Sequence, residues 1–183
     1  MSIMIPTKVF LTKGKGQHKE KLASFEEALR DAGIAPFNLV KVSSIFPPHA
    51  KLISREEGLK YLNPGQIVFL VMSENATDEP HRLISASVAL AIPHDPKHYG
   101  YLAEHQGFGP GEKEAGKHAE DLAVGMLATK LGWELPAGKI SGNGGQNYEL
   151  SETFSVTAQN MTQTAEGAAG VWTTAVAAAV LIV

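Results

Sequence analysis

Residues 38–48 read Asn38-Leu39-Val40-Lys41-Val42-Ser43-Ser44-Ile45-Phe46-Pro47-Pro48. The first part is apolar and β-branched, which suits a buried strand. Pro47 and Pro48 lack the donor that a strand ladder needs and favour extended backbone, so pairing has to stop there. The expectation is a strand that carries Ser43 and Ser44 to its end, followed by a stiff turn bearing two hydroxyls. Two serines before two prolines are also an ordinary way to leave a strand.

Upstream, Lys8 to Leu11 reads as a short strand. Lys13-Gly14-Lys15-Gly16 reads as a flexible turn, because alternating Lys and Gly lack the spacing of a phosphate loop. From His18 to Ala32 apolar residues recur three and four apart. Leu22, Phe25, Leu29 and Ala32 form the expected helix face and Gly33 the stop, with a second possible start at Ser24, three residues before Glu27. Downstream, Ile45 to Glu57 is expected to be loop and turn. Ile67 to Met72 is a continuous apolar run fit for the centre of a sheet, and the polar stretch Ser73 to Pro80 should break structure. Leu83 to Ile92, ending at Pro93, fits a strand or a helix from Arg82, and the strand is preferred. Gly107-Phe108-Gly109-Pro110-Gly111 is a hinge before a helix from about Glu112 to Leu131. Its expected stripe is Ala119, Leu122, Ala123, Met126 and Leu127, closed by Gly132. Trp133 to Gln146 is a Gly-, Pro- and Asn-rich excursion. Ser151 to Met161 and Val171 to Val183 have strand character. Two long helices with at least five strands make one mixed α/β domain.

Composition narrows the function. A chain of 183 residues can bury a sizeable core. The net charge is −3 with acids and bases interspersed, which points to neither a nucleic-acid partner nor a membrane. The absence of cysteine removes disulfides, thiolate catalysis and cysteine-based metal sites. The N-terminus lacks the basic flank and apolar core of a signal peptide, and the apolar run Ala175–Val183 is too short to span a bilayer as a helix, so a cytoplasmic protein is expected. His94 and His98 are four apart, but Pro96 breaks the helical turn they would need to share a metal, even with Glu104 and His105 nearby. No metal is expected. Glu104 follows Tyr99-Gly100-Tyr101-Leu102-Ala103, an apolar and aromatic segment. A carboxyl desolvated by such neighbours keeps its proton to higher pH and can act as a general acid.

The stretch around Ser43-Ser44 resembles the self-cleavage site of the pyruvoyl-dependent arginine decarboxylases. Leu11-Thr12-Lys13-Gly14, Ser24-Phe25-Glu26, Asp78-Glu79-Pro80-His81-Arg82 and Gly100-Tyr101-Leu102-Ala103-Glu104-His105 are similar to that family in the same order. The resemblance implies a layered αββα sandwich, and homotrimers with active sites between subunits. It implies that the chain cuts itself between Ser43 and Ser44 into a β chain of residues 1–43 and an α chain of residues 44–183, residue 44 becoming a covalent pyruvoyl group. It places Glu104 as the proton donor, Asn38 in processing and the active site, and Ser43 and Ile45 in substrate binding. It sets Glu26 against the substrate guanidinium. The family often has Asp at the position of Glu26, so substrate length is the least fixed property.

The chemistry follows from what decarboxylation requires. The electron pair left on Cα needs a sink that no ordinary side chain supplies. In the self-cleavage that the resemblance implies, Ser44 Oγ would attack the Ser43 carbonyl carbon to give an ester, β-elimination would cut the chain and leave dehydroalanine, and hydrolysis would release ammonia to give the pyruvoyl ketone. A Schiff base between that ketone and L-arginine would lose CO2, and protonation by Glu104 would give agmatine. The alternatives are a pyruvoyl enzyme for another cationic amino acid, or a non-catalytic α/β ligand-binding trimer. Asn38 and Ser44 would lie roughly 20 Å apart in an unbroken strand, so Asn38 reaches that Ser44 only if the chain bends back, or else acts across a subunit interface.

Overall fold

The computed structural model describes residues 4–132, 147–151 and 154–183. In chain order its elements are β1 (Lys8–His18), α1 (Lys21–Ala32), β2 (Asn38–Lys41), β3 (Ile45–Phe46), β4 (Lys51–Ile53), α2 (Arg55–Leu59), β5 (Ile67–Thr77), β6 (Leu83–Pro93), β7 (Gly100–Phe108), α3 (Glu112–Lys130), β8 (Asn147–Ser151), β9 (Phe154–Glu166) and β10 (Trp172–Ile182). Two five-stranded sheets result, ordered β2-β5-β10-β1-β4 and β3-β7-β6-β9-β8.

The layering is legible in β10. Successive side chains on a strand point to opposite faces. Val176, Ala178, Val180 and Ile182 join Phe10, Leu70 and the buried residues of α1 in one core. Ala177, Ala179 and Leu181 pack instead against Val88, Leu90 and Leu102 of the second sheet. A strand covered by helix on one side and sheet on the other has to be apolar on both, which explains its continuous Ala and Val content. On the far face of the second sheet, α3 buries Ala119, Ala123, Val124 and Leu127 against Ala89, Ala91, Ala103 and Val156. The order helix, sheet, sheet, helix is the expected αββα sandwich.

Lys13-Gly14-Lys15-Gly16 is not a turn. It continues β1, paired with β10 from Lys8↔Ile182 to His18↔Trp172. The glycines are there for the helix: a Cβ on Gly14 would lie 2.2 Å from the Ala28 carbonyl oxygen, and one on Gly16 would lie 2.3 Å from that of Ser24. This close approach also corrects the helix face. The fully buried residues of α1 are the small ones, Ser24, Ala28 and Ala32; of the expected face Ala32 is in the core and Phe25 and Leu29 pack at its margin, while Leu22 is 79% exposed. Ser24 is interior, sharing a 2.7 Å hydrogen bond with Thr174 Oγ1, and does not cap the helix. Gly14→Ala is expected to lower stability by about 3 kcal/mol, the upper part of the overpacking range, because backbone cannot move aside as a side chain can. Gly125→Ala, with nothing within 4 Å of the added carbon, should instead stabilise α3 by up to about 1 kcal/mol. Urea unfolding midpoints of the two variants check the contrast.

Three further expectations are corrected. Ile45 to Glu57 holds β3, β4 and α2 rather than loop, with Ser54 Oγ capping α2 by accepting from Glu57 N–H at 3.1 Å. Strands of two or three residues are too short to show periodicity. The polar run after Met72 stays in β5 to Thr77 because its side chains find backbone across the sandwich: Ser73 Oγ donates to His105 O at 2.7 Å and Asn75 Nδ2 to Gly107 O at 2.9 Å. In α3 the stripe is rotated toward Ala115, Ala119, Ala123, Val124, Leu127 and Ala128, leaving Leu122 and Met126 more than a third exposed. The start at Glu112 and the hinge before it, with Gly109 at φ 98°, are as expected. The excursion over 133–146 lies outside the described residues.

Candidate active site

The two serines sit where the chain leaves one sheet for the other. Val42 N–H donates to Leu70 O at 2.9 Å, the last hold on the first sheet, and Leu102 N–H donates to Ser44 O at 2.9 Å, the first hold on the second. Between them Ile45 N–H donates to Ser43 O at 3.0 Å, closing a three-residue turn around Ser44. β3 then pairs Ile45↔Tyr101 and Phe46↔Gly100 and ends before Pro47, as the prolines require. Phe46 is buried between the sheets and anchors the turn, with Ser43 exposed, Ser44 half-buried and Ile45 39% exposed. The expected single buried strand is thus corrected. β2 stops at Lys41, lies at the edge of its sheet and leaves Val40 40% exposed. Beside the turn is a cavity of about 360 Å³ whose lining includes Val42, Ser43, Ile45, Phe69 and Leu181. Its walls are mostly apolar, suited to an alkyl chain.

Glu104 stands two residues beyond Leu102 on β7. Alternate residues share a face, and Leu102 belongs to the core between the sheets, so Glu104 continues that row toward an open end. Tyr101 points the other way and packs with α3. The aromatic segment therefore cannot desolvate Glu104, which is exposed in its own chain. The next residue, His105, meets the ring of His118 on α3 at 4.4 Å. Burial, with the neighbouring His118 adding to it, lowers the His105 pKa below 6.5.

The structure does not bring the other two residues to Ser44 within one chain. Asn38 opens β2, and its Nδ2 donates to Gly65 O at 2.7 Å. Glu26 lies on α1, outside the first sheet, and pairs with Arg30 at 2.7 Å. A full sheet separates it from the layer that holds Glu104. His94 is engaged by Ser155 Oγ at 2.7 Å and Thr157 Oγ1 at 3.1 Å, while His98 lies 3.8 Å from Asp95. Among the described residues, no group of three or more His, Asp or Glu is placed to hold a metal ion.

The turn at the sheet-to-sheet crossing is thus one hydrogen bond away from the strand that carries Glu104. Residues 8–183 fit the model of the pyruvoyl-dependent arginine decarboxylases. The chain belongs to that family. It is 55% identical over 178 residues to the probable pyruvoyl-dependent arginine decarboxylase of Chlorobium limicola, covering 97% of this chain and 98% of that protein. It is 52% identical over 181 residues to the pyruvoyl-dependent arginine decarboxylase of Nitrosopumilus maritimus, covering 98% of each. The corresponding protein of Methanococcoides burtonii is 50% identical over 179 residues, covering 98% of this chain and 99% of that one. Membership makes the chain an enzyme of the carboxy-lyase class, and its dependence on a pyruvoyl group is a property of the family. Sequence reasoning missed the two backbone donors, Ile45 N–H and Leu102 N–H. Neither is encoded by a side chain, and the only hint was the Pro-Pro stop that confines the second sheet's edge strand to two residues.

Proposed function

We propose that the chain decarboxylates L-arginine to agmatine and CO2, using a pyruvoyl group made from its own Ser44 by cutting the Ser43–Ser44 bond. The observation that carries this is the turn itself. Ser44 is not locked into a buried ladder, and the carbonyls of Ser43 and Ser44 are each held by one backbone N–H. That arrangement fits formation of the group in place. Once formed, the group supplies a ketone for the substrate amine and a conjugated carbonyl that accepts the electron pair as CO2 leaves. The chain's own residues do the rest. Leu102 N–H fixes the residue-44 carbonyl, Glu104 delivers a proton to the substrate Cα, Ser43 and Ile45 line the cavity wall, and Glu26 receives the guanidinium.

Glu26 and Asn38 lie away from Ser44 within one chain, which supports a site completed by a neighbouring copy, as in a homotrimer of cut αβ units. Among the described residues no helix is long and apolar enough to cross a membrane, and a cytoplasmic enzyme is the reading we adopt.

Intact-mass measurement before and after borohydride tests the assignment. Scaling 19.5 kDa by 43/183 and 140/183 gives fragments of about 4.6 and 14.9 kDa. The larger should lack ammonia relative to simple hydrolysis and gain an arginine adduct on reduction; a single uncut mass overturns the proposal. A panel of arginine, lysine, ornithine and histidine tests the substrate, and faster turnover of any of the others overturns arginine. Glu26→Ala should leave the cut intact and raise KM for arginine about 10- to 100-fold, the scale of a lost charge-assisted contact of roughly 1.5–3 kcal/mol. An unchanged KM removes Glu26 from the site.

A further inference from the structure

We infer that the backbone N–H of Ile45 is the oxyanion donor for self-cleavage, an inference that rests on the proposed cut between Ser43 and Ser44. The Leu102 N–H to Ser44 O bond makes Ser44 and Leu102 the hydrogen-bonded pair of this narrow ladder. Ile45 and Tyr101, opposite each other one step along, are then a non-hydrogen-bonded pair. The Ile45 N–H consequently faces off the edge of the sheet and has no ladder partner. It turns back on Ser43 O at 3.0 Å, the oxygen of the very carbonyl that Ser44 Oγ has to attack.

The first step forms a bond from Ser44 Oγ to the Ser43 carbonyl carbon, and the hydroxyl proton passes to the Ser44 nitrogen as the C–N bond breaks. In the tetrahedral stage between, the carbonyl electron pair resides on Ser43 O as an oxyanion. A donor already aimed at that atom stabilises it without rearrangement, and removal of one such donor typically slows acyl transfer about 10²–10³-fold. In the second step the Ser44 Cα proton is lost, the Cβ–Oγ bond breaks, and Ser43 leaves as a carboxylate. The charge that develops there is shared between the two oxygens of the leaving carboxylate rather than held on one tetrahedral oxyanion, so the donor acts chiefly on the first step. The same geometry explains the form of β3. A strand of two residues supplies one ladder contact to fix the turn and leaves the next N–H unclaimed.

The test replaces Ile45 by its α-hydroxy analogue in the full chain, which keeps the side chain, deletes the N–H and makes the Ser44 carbonyl an ester, a weaker acceptor for Leu102 N–H. Cleavage is followed by mass. About 100-fold slower cutting is expected, together with less ester trapped by hydroxylamine as Ser43 hydroxamate, because ester formation becomes the slow step. The same replacement at Phe46 deletes the next N–H and should leave the rate close to that of the unmodified protein. Equal slowing at both positions, undiminished cutting of the Ile45 analogue, or accumulation of the ester each overturns the inference. Where the analogue does not fold, amide exchange in the uncut Ser44→Ala chain decides. Slow exchange at Ile45 relative to Ser43 supports the bond, and exchange at the rate of an open chain overturns it. If the unmodified protein itself shows no cut between Ser43 and Ser44, the parent proposal fails. If it cuts and the analogue cuts equally fast, only this inference fails.

Discussion

Ser44→Ala is expected to give one uncut chain of 19.5 kDa that releases no CO2 from arginine. Alanine has no Oγ to attack the Ser43 carbonyl and no leaving oxygen on Cβ, so both the acyl shift and the elimination are lost. Residual activity should sit at background, because without the carbonyl cofactor nothing in the chain can hold the electron pair. Folding should survive, since Ser44 is half-buried and its structural contact is a backbone bond to Leu102 N–H. Ser43→Ala offers the contrast. Ser43 contributes its carbonyl to the first step and keeps it as alanine, so that chain should still be cut. Gel migration and intact mass read the cut, and agmatine release reads the turnover. A cut Ser44→Ala chain, or an uncut but active one, would move the cofactor elsewhere.

Glu104→Gln is expected to be cut normally and then to turn over slowly. The amide keeps the size and hydrogen-bonding reach of the carboxyl but cannot deliver a proton. Loss of a positioned general acid typically costs about 10²–10⁴ in rate, or roughly 3–5 kcal/mol at 1.36 kcal/mol per factor of ten. The loss should fall on kcat with KM for arginine little changed, because the proton moves after the substrate is bound. Separate measurement of the cut fraction, kcat and KM checks this. A kcat near that of the unaltered enzyme removes Glu104 from the proton step, whereas an uncut Glu104→Gln chain would place it in processing.

The sequence disclosed the layers better than the joints. β10 and the first half of β5 announced themselves as apolar runs because strands covered on both faces leave no polar alternation to misread, whereas the small residues of β6 also fitted a helix from Arg82. α3 began where Gly111 ends the hinge. What stayed hidden was whatever depends on a neighbour. Gly14 and Gly16 looked like a turn because the reason for glycine is the backbone of α1 lying across them. Ser73 and Asn75 looked like a break because their partners are carbonyls on β7. For the proposed site, Ser43, Ser44 and Glu104 could be named from the resemblance, and the stop at Pro47 was predictable. The crossing between sheets was not, since it rests on β3, too short to leave a pattern. The expected enclosure of Glu104 failed on parity: Tyr101 is an odd number of positions away and therefore faces the helix.

The proposed position of the cut would also determine what kind of object the protein becomes. Residues 1–43 would contain β1, α1 and β2, and β1 lies inside its sheet, between β10 and β4 and paired with β10 along its whole length. Scission at the crossing would free a chain end without freeing a strand, so the pieces would stay interleaved as a non-covalent heterodimer. Before the cut, assembly of this sheet is a first-order event within one chain. Afterwards a denatured sample would have to rebuild it by collision of two polypeptides, at a rate that depends on concentration. The matured enzyme would then keep its form by the slowness of unfolding rather than by ready refolding. The reaction that installs the cofactor would also remove the covalent route by which the fold was first reached.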